Sequence, residues 1–188
     1  DNGDRIASII STTAARQGKV IIPAFALGRV EELLYWVKRL EDERRIPVLP
    51  VYVDSPMAAA VLKAYRSRTD ELDPEISQVD RHGQHAQAFR KLCVFCTAKL
   101  KVIATIAESR AVQESHMPSI VISASGMATG GRVLHHLEHA LPDARNTVMF
   151  AGYQAAGTRG RLLKDGAATT RIHGRDIPVA AQIETMDA

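Results

Sequence analysis

Residues 119–132, Ser-Ile-Val-Ile-Ser-Ala-Ser-Gly-Met-Ala-Thr-Gly-Gly-Arg, restrict the possible folds of this chain more than any other stretch. Ile120, Val121 and Ile122 form a β-branched run after Pro118, which predicts a short buried strand. Small residues follow from Ser123 to Gly126, and then the pair Gly130-Gly131. Beyond them Val133, Leu134, Leu137, Ala140 and Leu141 recur at helical spacing until Pro142 closes the pattern. The stretch is therefore strand, small-residue loop, helix. Such a loop leaves backbone N–H groups at a helix N-terminus with little side-chain bulk over them, which favours an anion and phosphate above all. Arg132 stands in the first turn, where its guanidinium suits a bidentate phosphate contact. A tight turn whose glycines serve only geometry explains the same residues equally well.

The rest of the chain repeats this alternation. Ile6, Ile9, Ile10 and Thr13 share one face of a helix over residues 4–16, ended by Gly18. Lys19 to Pro23 reads as a buried strand, Ala24 to Arg29 as a loop, and Val30, Leu33, Leu34, Val37 and Leu40 as a helix. Val48 to Val53 is a strand leading to Asp54-Ser55-Pro56, with Pro56 in the first turn of a helix and Asp54 or Ser55 as its cap. That helix carries an apolar stripe of Met57, Ala60, Val61, Ala64 and Tyr65. Residues 66–98 have no clean period and read as short helices and a loop. Leu100 to Thr105 is a strand with a helix after it through Glu108 to Gln113. Thr147 to Ala151 is another strand, running into Gly152 to Arg161 and a helix at Leu162-Leu163. Arg171 to Met186 turns at His173-Gly174-Arg175-Asp176 as a β-hairpin. The expected architecture is an α/β, three-layer αβα domain with a mostly parallel sheet and a C-terminal hairpin, one domain over residues 1–188.

Composition narrows the class. Hydrophobic residues at 46% and charged residues at 24% are those of a soluble globular protein. No apolar run reaches membrane-spanning length and no signal peptide is evident, so no membrane partner is expected. The first residue is Asp1, which reads as a processed or excerpted chain. Two cysteines make no disulfide framework and point to a reducing, cytoplasmic setting. A net charge of +3 tolerates a polyanionic partner without requiring one.

Two histidine patterns invite a metal reading. His135-His136-Leu137-Glu138-His139 matches H-x-x-E-H, with His135 and His139 as zinc ligands and Glu138 as base. The apolar spacing of Leu134, Leu137 and Leu141 puts His135, His136 and Glu138 on the polar side, so a solvated helix face is the expected reading. No third ligand stands at a matching spacing. His82, His85, Cys93 and Cys96 have the right types for a closed tetrahedral zinc module; two thiols and two exposed histidines explain them more simply. Asp54, Glu108, Glu184 and Asp187 read as caps or surface charges. Arg29, like Arg132, follows a strand and opens a helix, where the helix dipole slightly disfavours a cation.

Four segments taken together carry a resemblance. Pro23-Ala-Phe-Ala-Leu-Gly-Arg29, Tyr52-Val-Asp-Ser-Pro-Met-Ala58, Ser123-Ala-Ser-Gly-Met-Ala-Thr-Gly-Gly-Arg132 and Gly152-Tyr-Gln-Ala-Ala-Gly-Thr-Arg-Gly-Arg161, in this order, resemble the β-CASP domain of RNA-processing metallo-β-lactamase proteins. That family includes ribonuclease J and the endonuclease subunit of the pre-mRNA 3′-end cleavage complex, and the likeness is to its bacterial members. The resemblance implies an insert that closes over a dinuclear zinc core and forms one wall of an RNA cleft. The family's H-x-H-x-D-H ligand motif is absent here, and its serine-alanine-histidine motif would begin just past Ala188. The implied reading is thus an RNA-clamping domain without catalytic or metal-ligating residues of its own. Residues 170–188 return towards a metallo-β-lactamase core, and two zinc ions belong to the parent protein. The implied RNA or phosphate contacts are Arg29, Ser125, Gly126, Met127, Thr129, Gly130, Gly131, Arg132, Gln154, Thr158 and Arg161. Three further expectations follow. The four loops should line one groove, the polar side of the His135 helix should face solvent, and the three arginines should serve phosphate attraction and not stability. The competing reading is a free-standing nucleotide or sugar-nucleotide binding domain with Gly130-Gly131 under a diphosphate.

Overall fold

A computed structural model describes residues 2–67 and 95–186. The helices among them are α1 (Asn2–Ala15), α2 (Arg29–Asp42), α3 (Pro56–Ser67), α4 (Ile106–Glu114), α5 (Val133–Ala140) and α6 (Arg159–Lys164). The strands are β1 (Lys19–Pro23), β2 (Val51–Asp54), β3 (Leu100–Val102), β4 (Ser119–Ser123), β5 (Thr147–Ala151), β6 (Thr169–Ile172), β7 (Arg175–Pro178) and β8 (Gln182–Met186). Six of these strands form one parallel sheet in the order β3-β2-β4-β1-β5-β8. The hairpin β6–β7 stands apart as a two-stranded antiparallel sheet.

Side chains alternate across the sheet, as strand geometry requires. Val20, Ile22, Val51, Val53, Ile120, Ile122 and Met149 pack on one face against α1, α2 and α3. Ile21, Val121, Val148 and Phe150 pack on the other against α4, α5, α6 and the hairpin. The β-branched runs that predict buried strands are buried on both faces, the pattern of a covered parallel sheet. The chain moves from β1 to β2 to β3 in one direction, then returns through β4 and β5 to β8. Neighbouring strands β1 and β5 therefore send their following helices, α2 and α6, to opposite faces. The crevice between such strands at their carboxyl ends is where open α/β sheets bind ligands.

Several expectations are corrected. β2 begins at Val51 and not at Val48, and β3 ends at Val102. Among the described side chains of α3 the buried ones are Ala58 and Leu62, four apart, while Met57 of the expected stripe is 61% exposed. Of the two expected caps of α3, Asp54 or Ser55, the structure has Ser55, whose Oγ accepts from the Ala58 amide over 3.2 Å. The tail forms the hairpin about His173-Gly174, but its last strand leaves the hairpin. The amides of Ala180 and Ala181 donate to the Leu141 carbonyl, and β8 then joins the main sheet beside β5. β8 lies on α1, where Arg5 and Glu184 approach to 3.6 Å, so the two ends of the described chain are neighbours. The expected short helices of residues 66–98 lie largely outside the described residues. No helix among those described is long and apolar enough to cross a membrane.

Candidate nucleic-acid interface

All the strands of the main sheet are parallel, so the loops after β1, β2, β4 and β5 emerge at one edge. Three of them are laced together. Gly126, in the loop after β4, lies so close to the Phe25 ring that a Cβ there would sit 2.9 Å from it. Gln154, in the loop after β5, is buried and donates through Nε2 to the Gly126 carbonyl over 3.2 Å. The Gly160 amide donates to the Met127 carbonyl over 3.0 Å, and Arg159 donates to the Ala128 carbonyl. A Cβ at Gly160 would fall 1.8 Å from Gln154 Oε1, so glycine is what lets α6 approach this closely. Arg29 reaches the loop after β5 from the first turn of α2: its Nη2 lies 3.6 Å from where a Cβ of Gly152 would stand.

The loop between β4 and α5 is open at its tip. Ala128 and Gly131 take positive φ values of 53° and 75°, and Ser125 Oγ and Thr129 Oγ1 are 3.1 Å apart. The backbone amides of Thr129, Gly130, Gly131 and Arg132 donate to no acceptor among the described residues. A Cβ on Gly130 would meet nothing within 4 Å. Four unsatisfied donors ahead of a helix, with open space beside Gly130, have the chemistry that attracts an anion.

The remaining expected contact residues are engaged within the protein. Arg29 donates to Glu32 over 2.6 Å and Arg161 to Asp165 over 2.8 Å, both on the protein surface. Thr158 caps α6, accepting from the Arg161 amide over 3.2 Å and donating to the Ala155 carbonyl over 2.7 Å. The Oε1 of Gln154 is buried without a hydrogen-bond partner.

Arg132 turns inwards, which corrects the expectation that it has no part in stability. Alternation along β2 puts Asp54 on the α4–α5 side of the sheet, fully buried at the carboxyl end of its strand. Arg132 Nη1 donates to Asp54 Oδ1 over 2.7 Å, His136 Nε2 to Oδ2 over 2.7 Å, and Ser109 Oγ also to Oδ2. Burial pushes the Asp54 carboxyl up, but the hydrogen bonds from His136, Ser109 and Arg132 outweigh it and hold the group below the ordinary aspartate range. One carboxylate thus fixes β2, α4 and α5, and with α5 the glycine loop. His136 is accordingly buried and not on a solvated face. A cavity of about 370 Å³ beside Arg132 runs between α4 and α5, lined also by Ser109, Arg110, Gln113 and His135.

Sequence reasoning passed over the aromatic rings of this edge. Phe25 and Tyr153 are 52% and 72% exposed on loops that the contacts above tie together. Large exposed rings within glycine-rich, motif-bearing loops were the available signal. Of the proposed four-ligand zinc module, His82, His85 and Cys93 lie outside the described residues. Cys96 is disulfide-bonded, which removes the thiolate that zinc requires.

Comparison with known proteins agrees with this architecture. A Beta-Casp domain family model matches residues 30–163. The chain belongs to the Beta-Casp domain family. It is 35% identical over 178 residues to Ribonuclease TTHA0252 of Thermus thermophilus, covering 95% of this chain and 39% of that protein. It is 33% identical over 187 residues to the transcription termination factor FttA of Methanocaldococcus jannaschii, covering 95% of this chain and 28% of that one. An RNase J-like protein of the same organism is 31% identical over 179 residues, covering 93% of this chain and 37% of its own length. The chain thus spans between about a quarter and two-fifths of these relatives.

Proposed function

We propose that this domain clamps RNA for a zinc-dependent ribonuclease of the metallo-β-lactamase type, forming one wall of its RNA cleft. The observation that carries the reading is the run of four unpartnered amides from Thr129 to Arg132. They lie at the edge where the loops of Phe25, Gly126 and Gln154 are tied together. A phosphodiester oxygen fits these amides, and the Phe25 and Tyr153 rings offer faces on which unpaired bases stack. Arg29 and Arg161 add positive charge once a phosphate competes with Glu32 and Asp165. Exposed rings beside an anion site favour a polynucleotide over a free diphosphate. The family membership and the partial coverage of its ribonuclease relatives support the larger context.

The two zinc ions of the reading belong to the longer protein. The described residues offer one His/Glu cluster of metal-binding geometry, containing a single carboxylate, and Asp54 is consumed by internal partners. This set does not suit a dinuclear hydrolytic centre, so no step of hydrolysis is assigned to residues of this chain. The clamp is tested by titrating fluorescent single-stranded RNA with a nucleoside diphosphate as competitor. Preferential RNA binding that the diphosphate displaces poorly supports the clamp. Tight diphosphate binding with no preference for RNA supports the nucleotide-binding reading instead.

A further inference from the structure

His135, Glu138 and His173 each offer a ligand atom, and these three atoms lie within 4.8 Å of one another. His135 and Glu138 come from one turn of α5, and His173 comes from the hairpin. The H-x-x-E-H pattern therefore acquires its missing ligand from a distant part of the chain. His139 is not part of the group; its Nδ1 points back to the His135 carbonyl at 2.9 Å. We propose that His135, Glu138 and His173 bind a divalent transition ion of the zinc class, which clips the β6–β7 hairpin to α5. This proposal does not rest on the RNA-clamp reading.

Several features of the geometry support a clip. His173 Nδ1 faces Glu138 Oε2 at 3.1 Å, so a metal replaces the proton now shared between them. Ligands about 2.0–2.2 Å from a common tetrahedral ion stand about 3.5 Å apart. The cluster reaches this by contracting about 1 Å, within the torsional reach of two exposed histidines. The rings of His135 and His173 already stack at 4.4 Å between centroids, which keeps both beside the carboxylate. Glu138 Oε1 is held by Arg175, leaving Oε2 for the ion; carboxylate ligands are commonly oriented by such an outer partner. Two imidazoles and one carboxylate leave a fourth position for water.

The turn that presents His173 adds an independent sign. Ile172 pairs with Arg175, so the hairpin loop is His173-Gly174, with φ values of 47° and 79°. A two-residue loop with both φ values positive favours Asn-Gly or Asp-Gly. A histidine in the first of these positions departs from the cheapest turn residue and puts an imidazole over Glu138.

Calorimetric titration of the 188-residue chain with Zn²⁺ tests the clip. One ion per chain is expected, with a rise in melting temperature as zinc is added. His173→Asn removes the ligand while suiting the positive φ of the turn, and should weaken zinc binding tenfold or more and abolish the thermal shift. Glu138→Gln should weaken binding similarly. His139→Ala should leave it unchanged, since His139 lies in the sequence pattern but outside the cluster. Absence of zinc binding by the unsubstituted chain would overturn the proposal. So would binding that survives His173→Asn, or that is lost on Cys93→Ser.

Discussion

His136 Nε2 donates to Asp54 Oδ2 over 2.7 Å, and neither side chain reaches solvent. The pair joins the carboxyl end of β2 to the middle of α5, and Arg132 closes the other oxygen of the same carboxylate. The backbone that carries the four free amides is therefore anchored from inside the protein. Replacing Asp54 by Ala strands the buried donors of His136 and Ser109 and frees Arg132, and loss of one partner from a buried ion pair costs about 3–5 kcal/mol. The expected outcome is a lower denaturation midpoint at unchanged slope, read by urea unfolding. His136→Leu in the same background should be strongly non-additive with Asp54→Ala, because both act on one network.

The same carboxylate sets an acid limit. Its folded value lies below the ordinary 3.8, so its contribution is fully present above that value and is lost as pH falls through the lowered one. Glu108, in the capping box of α4, and Asp143, beside Arg145, are both held at about 2 and act in the same direction. Stability should therefore fall steeply between about pH 4 and 2. Asp54→Asn, less stable at neutral pH, should lose less over this window. An equal loss in both proteins would remove Asp54 from the acid transition.

Lys19 gives the opposite edge of the pH range. It lies buried at the start of β1, donating to the carbonyls of Val112 over 2.6 Å and Gln113 over 3.2 Å at the end of α4. Burial lowers its ammonium from 10.5 to about 8. Between those values the unfolded chain holds the proton and the folded one has released it, so stability rises with pH. The stability difference between the unsubstituted protein and Lys19→Met should grow in favour of lysine from pH 8 to 10. A pH-independent difference would show that Lys19 titrates normally.

Stacking and charge in the proposed RNA interface separate by salt. Tyr153→Ala should weaken single-stranded RNA binding by about 1–3 kcal/mol with an unchanged salt slope, because base stacking releases no counterion. Arg29→Ala should lower the slope by about 0.7 for one lost phosphate contact. Fluorescence anisotropy at several salt concentrations reads both. A flattened slope for Tyr153→Ala would show that its effect is not stacking.

The sheet was legible because its buried strands are written in apolar, largely β-branched runs: 19–23 and 147–151 match their predicted bounds, and 119–123 extends the run of Ile120 to Ile122 by one residue at each end. β8 was not, because Gln182, Glu184 and Thr185 give an edge strand no apolar run to read. The edge that gathers the loops followed from the parallel alternation of strands and helices. The Asp54 node did not, since a lone carboxylate before Ser-Pro looks like a cap until Arg132 and His136 are seen to converge on it from 78 and 82 residues away. His136 was misassigned for the same reason: helical spacing ranks Leu134 above it, and only a buried acid opposite makes the histidine an inward residue. His173 joins α5 through a tertiary contact that no local spacing announces.

The central claim is that the amides of residues 129–132 receive an RNA phosphate. Gly130→Asp tests it most directly, because a side chain there meets open space and should leave the fold and its denaturation midpoint intact. A carboxylate above those amides occupies the anion site and repels the backbone of a nucleic acid. Salt-dependent titration of labelled single-stranded RNA should show affinity reduced tenfold or more at low salt, with a shallower slope than the unsubstituted protein. Equal affinity and equal slope for the two proteins would contradict the account.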